Sequence, residues 1–105
     1  MYILMVYTRP VAGLEDDYHR WYDEIHLAEV LGVPGFTAAQ RFGVEQPPGG
    51  PPGRYVAMYT IESDDIEATL ATFERARAGM RAPLSLDPAS VVFALLRPVG
   101  PGHRG

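Results

Sequence analysis

The stretch YHRWYDEIHLAEVLGVPGF, residues 18–36, predicts a helix, its end and the beginning of a strand. Apolar residues recur at three- and four-residue spacing over residues 14–31, which indicates one amphipathic helix. The apolar stripe consists of Leu14, Tyr18, Trp21, Ile25 and Ala28. Acidic residues at 15–17 suit the positive end of the helix dipole. Gly32 fits the position after the last helical residue, and Pro34 prevents the helix from continuing.

Four strands and a second helix are predicted around this stretch. Runs of β-branched and aromatic residues place the strands at residues 1–8, 35–45, 54–62 and 89–97. The second helix is expected over residues 65–78, and Asp64 and Glu67 are its predicted capping pair. Its core stripe consists of Ile66, Leu70, Phe73, Met80 and the aliphatic stem of Arg77.

This order of elements, β-α-β-β-α-β, predicts an α+β fold of the ferredoxin-like class. In that fold a four-stranded antiparallel sheet carries two helices on one face. We expect a single domain over residues 1–97. Residues 46–53 are rich in proline and glycine and are predicted to form an exposed, flexible hairpin loop. Residues 98–105 are predicted to form a flexible tail.

Composition excludes several classes of protein. The chain has 105 residues, of which 47% are apolar and 21% charged, and this mixture is typical of a globular domain. Its net charge of −4 argues against a nucleic-acid partner. No run of apolar residues is long enough to span a membrane. The chain has no cysteine and begins directly as a strand without a signal peptide, so we expect a cytoplasmic protein.

The strands also predict a partner. The first, third and fourth strands are apolar on both faces, whereas two helices can cover only one face of the sheet. The uncovered face would expose an apolar patch of a size that monomers rarely tolerate. We therefore expect a homodimer that forms through the sheet faces.

The run from Tyr18 to His26, followed by Val33, Pro34, Gly35 and Phe36, resembles the dimeric α+β barrel superfamily. Within it the similarity is to EthD-like proteins and methylmuconolactone methylisomerase. The resemblance implies a homodimer whose sheets close into a shared barrel, with a cleft between sheet and helices in each subunit. Its known members include lactone isomerases, polyketide cyclases, cofactor-free monooxygenases and haem-degrading enzymes, so the resemblance implies a fold more than a reaction.

His26 is the strongest candidate for a catalytic group. On a helical wheel it lies at the edge of the apolar stripe, with Tyr22 and Glu29 between it and the stripe. A carboxylate beside the imidazole could fix its tautomer and raise its pKa, and the phenol could donate to a substrate oxygen. The alternative is a half-exposed histidine with a surface glutamate as its partner.

Other side chains have two interpretations each. Tyr18 and Trp21 belong to the core and are candidates for the wall of a substrate pocket. Arg41 either points into the cleft, where it would hold an anion, or outward to water. His19 is expected to be solvated, and its spacing from His26 does not suit a metal pair. A further set of tyrosines on strands is assigned to the core or the dimer interface: Tyr7, Tyr55 and Tyr59.

These residues lead to one favoured function and two alternatives. The favoured function is a small enzyme without cofactor or metal that transfers a proton on a hydrophobic, oxygenated, aromatic or polyketide-like molecule, as an isomerase, cyclase or lyase. His26 would be the general acid or base. The alternatives are a cofactor-free monooxygenase of dihydroxyaromatics and a non-catalytic, ligand-binding or accessory dimer.

Overall fold

A computed structural model describes residues 1–45 and 55–105, and it confirms the predicted α+β fold. The strands are β1 (Tyr2–Thr8), β2 (Phe36–Gly43), β3 (Tyr55–Ile61) and β4 (Val92–Leu96). The helices are α1 (Glu15–Trp21), α2 (Leu27–Leu31) and α3 (Ile66–Arg77), with a π-helical turn (Tyr22–His26) joining the first two and a short 3-10 turn (Pro88–Ser90) preceding β4. The predicted hairpin loop lies outside the described residues.

The four strands form one antiparallel sheet in the order β2-β3-β1-β4. β1 pairs with β3 and with β4, so that Val6 lies opposite both Ala57 and Phe93. β2 pairs only with β3, and a bulge separates Phe36 from the rest of the ladder. The two central strands therefore contribute most of the strand residues of the core, and Phe36 at the start of β2 also belongs to it.

The core lies between the helices and one face of the sheet, which we call the covered face. Because strand residues alternate between faces, the covered face carries every second residue of each strand. The buried core residues of the two central strands are Leu4, Val6, Ala57, Tyr59 and Ile61. From the helices they meet Tyr18, Trp21, Tyr22, Val30 and Phe73.

On the opposite face of the sheet, the open face, none of the described helices packs. On the strands as described it carries Ile3, Met5, Tyr7, Ala38, Gln40, Phe42, Val56, Met58, Thr60, Val92, Ala94 and Leu96. None of these residues is charged, and several of the large apolar ones, such as Phe42, Val92 and Leu96, are exposed. The predicted apolar sheet surface is therefore present.

The prediction of one regular α-helix over residues 14–31 was wrong. Residues 22–26 form a π-helical turn, in which the N–H of Leu27 donates to the carbonyl of Tyr22, five residues earlier. A π turn holds one residue more than an α turn, so it shifts the buried face of every later residue. Ile25, predicted in the apolar stripe, is 52% exposed, and Leu14 and Ala28 are also exposed.

Three element ends also differ from prediction. Asp65, not Asp64, caps α3, and its carboxylate accepts from the N–H of Ala68 at 3.1 Å. β4 begins only at Val92, because Pro88–Ser90 form the 3-10 turn. Gly32 ends α2 with φ −75°, so it does not use the left-handed conformation typical of a glycine after a helix.

The left-handed glycine of this connection is Gly35, with φ +95°. A Cβ there would lie 3.1 Å from the carbonyl oxygen of Glu62 and 3.3 Å from Cγ2 of Thr69. Gly35 is therefore required both by its conformation and by the close approach of the chain.

Residues 98–105 are exposed and lie outside any helix or strand, and their flexibility stays a prediction. Over residues 1–45 and 55–105, no helix combines the length and the apolar character that crossing a bilayer requires.

Candidate active site

A cavity of about 130 Å³ lies between the covered face and the helices. Its polar wall consists of Thr8, Tyr22, His26, Tyr59 and Arg77. The remaining lining residues are apolar: Val6, Trp21, Val30, Phe73, Met80, Ala82, Leu86, Val91 and Phe93. No acidic side chain belongs to this described lining. The cavity therefore suits an apolar body with a few oxygen atoms.

The π turn determines where His26 lies. In a regular α-helix Ile25 would continue the buried face after Tyr18 and Trp21, but the extra residue of the π turn places His26 there instead. The imidazole stacks on the indole of Trp21, with ring centroids 4.3 Å apart and planes 17° apart. Its side chain is 15% exposed. His26 is thus part of the cavity wall and is held by an aromatic neighbour.

Glu29 holds the other side of the imidazole. Its Oε1 lies 3.3 Å from Nδ1 of His26, and Glu29 itself does not line the cavity. An ionised carboxylate can only accept a hydrogen bond, so this contact favours the tautomer with hydrogen on Nδ1. Nε2 is then the basic nitrogen.

The pKa of His26 lies below its ordinary value. Burial lowers it, the hydrogen bond and charge of Glu29 oppose this, and the positive charge of Arg77 lowers it further. Glu29 does raise the pKa of His26, as expected, but desolvation outweighs the carboxylate, so the net change is downward. His26 is neutral at neutral pH and able to accept a proton.

Tyr22 is not at a polar helix edge as the helical wheel suggested, but is 2% exposed in the core. Its ring meets that of His26 edge-on, with centroids 5.3 Å apart. Oγ1 of Thr8 lies 2.5 Å from the hydroxyl of Tyr18 and donates to the hydroxyl of Tyr22 at 3.4 Å. Burial raises the pKa of both phenols, so both keep their protons.

Tyr59 is a polar residue of the cavity wall that the sequence assigned only to the core or the interface. It lies opposite Leu4 and Ala39 on the covered face and is 1% exposed. Its hydroxyl has no hydrogen-bond partner among the described residues. Burial raises its pKa well above the usual range. The alternation of side chains along β3 could have placed Tyr59 on the covered face from the sequence alone. Its neighbours, however, depend on how β3 pairs with β1 and β2.

Arg41 points to the covered face but does not line the cavity. Its guanidinium lies 4.5 Å from the ring centre of Tyr22, and it donates to Asp23 at 2.9 Å. A second nitrogen lies 3.0 Å from Nδ1 of His19, whose ring also packs edge-on against Tyr55 at 4.6 Å. His19 is therefore half-buried and engaged, contrary to the expectation of a solvated side chain.

The six predicted site residues thus fall into two groups. Trp21, Tyr22 and His26 line the cavity. Tyr18, Glu29 and Arg41 do not line it, but each contacts a residue that does. Tyr18 contacts Thr8, Glu29 contacts His26, and Arg41 contacts Tyr22. Sequence analysis had not proposed Thr8, Tyr59 or Arg77 for the site. In residues 1–45 and 55–105, no three histidine or acidic side chains gather as a metal site would require.

Comparison with known proteins adds structural similarity only. No protein-family model matches the sequence, and none of the curated proteins matches it. A point mutant of MhuD with two manganese protoporphyrin IX molecules per active site is 20% identical, with a TM-score of 0.64 over 99% of this chain and all of that one. The heme-degrader MhuD from Mycobacterium tuberculosis, with two hemes bound, is 22% identical, with a TM-score of 0.62 over 98% of this chain and all of that one.

An EthD family protein from Bacillus halodurans is 10% identical, with a TM-score of 0.56 over 94% of this chain and all of that one. A NIPSNAP domain protein from Burkholderia xenovorans is 20% identical, with a TM-score of 0.53 over 94% of this chain and 95% of that one. At these identities the similarity concerns the fold. The chain therefore has the ferredoxin-like α+β fold that its sequence predicted.

Proposed function

We propose that this protein is a proton-transfer enzyme that acts on a small, oxygenated, single-ring molecule without a cofactor. The observation that carries the proposal is the imidazole of His26, which is 15% exposed and contacts Glu29 on the wall of a largely apolar cavity. A general base must be deprotonated at the operating pH and fixed in position. The lowered pKa of His26 and the contacts of its ring with Glu29 and Trp21 support this role.

The size of the cavity defines the substrate class. Its volume, about 130 Å³, is close to that of an engineered apolar cavity of about 150 Å³ that binds benzene. One ring with small substituents fits this volume, whereas a fused polyketide does not. A porphyrin, with four linked pyrroles and their side chains, does not fit it either. The MhuD structures contain hemes, but the cavity of this chain is too small for one.

The proposed reaction begins at a C–H bond next to a carbonyl. Nε2 of His26 takes the proton, and the electron pair of the C–H bond forms the C=C bond of an enolate. The negative charge moves to the carbonyl oxygen. Return of the proton from the imidazolium to another carbon of the conjugated system completes an isomerisation. A positioned base of this kind typically contributes about 10²–10⁴-fold in rate.

Trp21 and Glu29 would keep the base in place during this cycle. The stacked indole restricts rotation of the imidazole, and Glu29 is next to the imidazolium when it forms. The positive charge would be stabilised at that moment by the carboxylate 3.3 Å away. Glu29 is accordingly a positioning residue and His26 the catalytic residue.

We also propose that the enzyme is a cytoplasmic homodimer that forms through the open face. The support is the composition of that face, which carries no charged side chain on the strands as described and exposes Phe42, Val92 and Leu96. A surface of this kind is typical of an interface rather than of a monomer. A second copy would cover it and leave the cavity on the far side of each sheet.

Hydrogen–deuterium exchange tests the function without knowledge of the final product. We would incubate the protein with cyclohex-2-enone and related single-ring ketones in D₂O and follow loss of C–H signals by NMR. The wild type should accelerate exchange next to the carbonyl, and His26→Asn should lose about 10²-fold or more of that acceleration. His103→Asn, which changes a histidine of the exposed tail, is the matched control.

Equal exchange by wild type and His26→Asn would contradict the catalytic role. Oxygen consumption with a dihydroxyaromatic in metal-free buffer would favour the monooxygenase instead. Ligand binding without exchange or oxygen uptake would favour an accessory role.

A further inference from the structure

The cavity lining includes two phenols whose hydroxyl hydrogens have no acceptor among the described residues. Thr8 has one hydroxyl hydrogen and donates it to the hydroxyl of Tyr22. Tyr18 must then be the donor in its contact with Thr8. The hydrogen of Tyr22 and that of Tyr59 have no acceptor among the described residues.

Leaving such a donor without an acceptor is unfavourable in a buried position. Tyr59 is 1% exposed and Tyr22 is 2% exposed, and both line the cavity. The two tyrosines also belong to the same cluster of buried core residues. Two O–H donors beside one small cavity meet the requirement of a ligand oxygen that accepts two hydrogen bonds.

The surroundings favour a negatively charged oxygen. No acidic side chain belongs to the described lining, which includes the guanidinium of Arg77; this group donates to Glu74, outside the lining, at 3.1 Å. Behind Tyr22, the guanidinium of Arg41 lies 4.5 Å from the phenol ring centre and has 13% of its side chain exposed. A cation over the ring of a phenol makes its O–H a stronger donor to an anion.

We propose that Tyr22 and Tyr59 form an oxyanion site, and that the ligand is a single-ring enol or phenol bound through its ionised oxygen. This inference deepens the proposed function, since it names the substrate class of the same cavity. In the reaction above, the two O–H groups would donate to the enolate oxygen as its charge develops, which is when such donors contribute most. Both phenols remain protonated because burial raises their pKa values.

Binding of two matched probes tests the proposal. 4-Fluorophenol supplies the oxygen, and 4-fluorotoluene has a methyl group in its place. Affinity would be measured by calorimetry across a range of pH, and the fluorine NMR shift would report the ionisation of bound phenol. The wild type should bind 4-fluorophenol at least about tenfold more tightly than 4-fluorotoluene. The bound phenol should ionise at a lower pH than the free one.

The variants Tyr59→Phe and Tyr22→Phe each remove one donor and keep the ring. Each should weaken binding of 4-fluorophenol by about tenfold, and the double variant should remove most of the preference. Binding of 4-fluorotoluene should stay the same or improve. Thermal melting of each variant checks that the fold is intact, and Tyr7→Phe on the open face is the matched control.

Equal affinity of the wild type for the two probes would overturn the proposal, because the hydroxyls would then serve only structure or hydration. A phenol preference that survives in the double variant would also overturn it. His26→Asn separates the two proposals. If His26→Asn still binds 4-fluorophenol more tightly than 4-fluorotoluene, the result supports the oxyanion site. If the wild type and His26→Asn exchange hydrogen equally fast, the result refutes only the role of His26 as the base.

Discussion

The covered and open faces of the sheet are made by the same four strands but differ in chemistry. The covered face carries hydroxyl groups and a guanidinium among its apolar residues, at Thr8, Tyr59 and Arg41. The open face also carries hydroxyl groups, at Tyr7 and Thr60, but no charged side chain on the described strands. Because successive residues of a strand point to opposite faces, one short sequence can specify a site on one face and an association surface on the other.

Two phenylalanines provide the largest expected contrast. Phe73 on α3 is buried in the core, whereas Phe42 on the open face is 47% exposed. Phe73→Ala should lower the free energy of unfolding by about 3–5 kcal/mol, because it leaves a cavity. Phe42→Ala should cost about 1 kcal/mol or less within the subunit. Urea unfolding at several protein concentrations measures both, since any larger effect of Phe42→Ala should depend on concentration.

A charge on the open face should break the association of the two subunits. Met58→Lys places an ammonium group in the centre of that face, next to Met5. We expect the dimer dissociation constant to rise about 100-fold or more, because a buried charge without a partner is strongly unfavourable. Sedimentation equilibrium measures this. Ala71→Lys, on the exposed side of α3, is the control and should leave association unchanged. A wild-type protein that stays monomeric at high concentration would refute the dimer.

Two tyrosines of the covered face should respond in opposite directions. Tyr59→Phe removes a buried hydroxyl that lacks a partner in the described structure, so it should raise the free energy of unfolding by about 1 kcal/mol. Tyr18→Phe removes the contact with Thr8 and should lower it by about 1 kcal/mol. Chemical denaturation without ligand measures both. Loss of stability in Tyr59→Phe would show that its hydroxyl is engaged.

The smallest expected effect is a dependence of stability on pH. Because the pKa of His26 is lower in the folded protein, the unfolded chain binds the proton first as the pH falls. The contribution of His26 is therefore complete above the ordinary histidine pKa of about 6.5 and is lost progressively as the pH falls below it. The difference in the free energy of unfolding between the wild type and His26→Gln should therefore become smaller as the pH falls from 7.5. Unfolding curves of both proteins at pH 7.5 and at lower pH measure it.

The elements could be predicted from the sequence, but the site could be predicted only in part. Periodicity and turn residues are local signals, so they located the strands and α3 to within a few residues. The π turn is a departure from the local α-helical pattern, and it moved His26 inward and Ile25 outward. The role of Tyr59 depends on its register with β1 and on α1 above it, which no nearby residues encode.

Titration of His26 by NMR tests the central claim most directly. The claim is that this imidazole is buried, neutral and fixed on Nδ1 by Glu29 at the wall of the cavity. We predict an inflection below that of an ordinary histidine, hydrogen on Nδ1 rather than Nε2, and a change of both ring signals when 4-fluorophenol binds. An inflection at or above about 6.5, with signals that no ligand alters, would contradict the account.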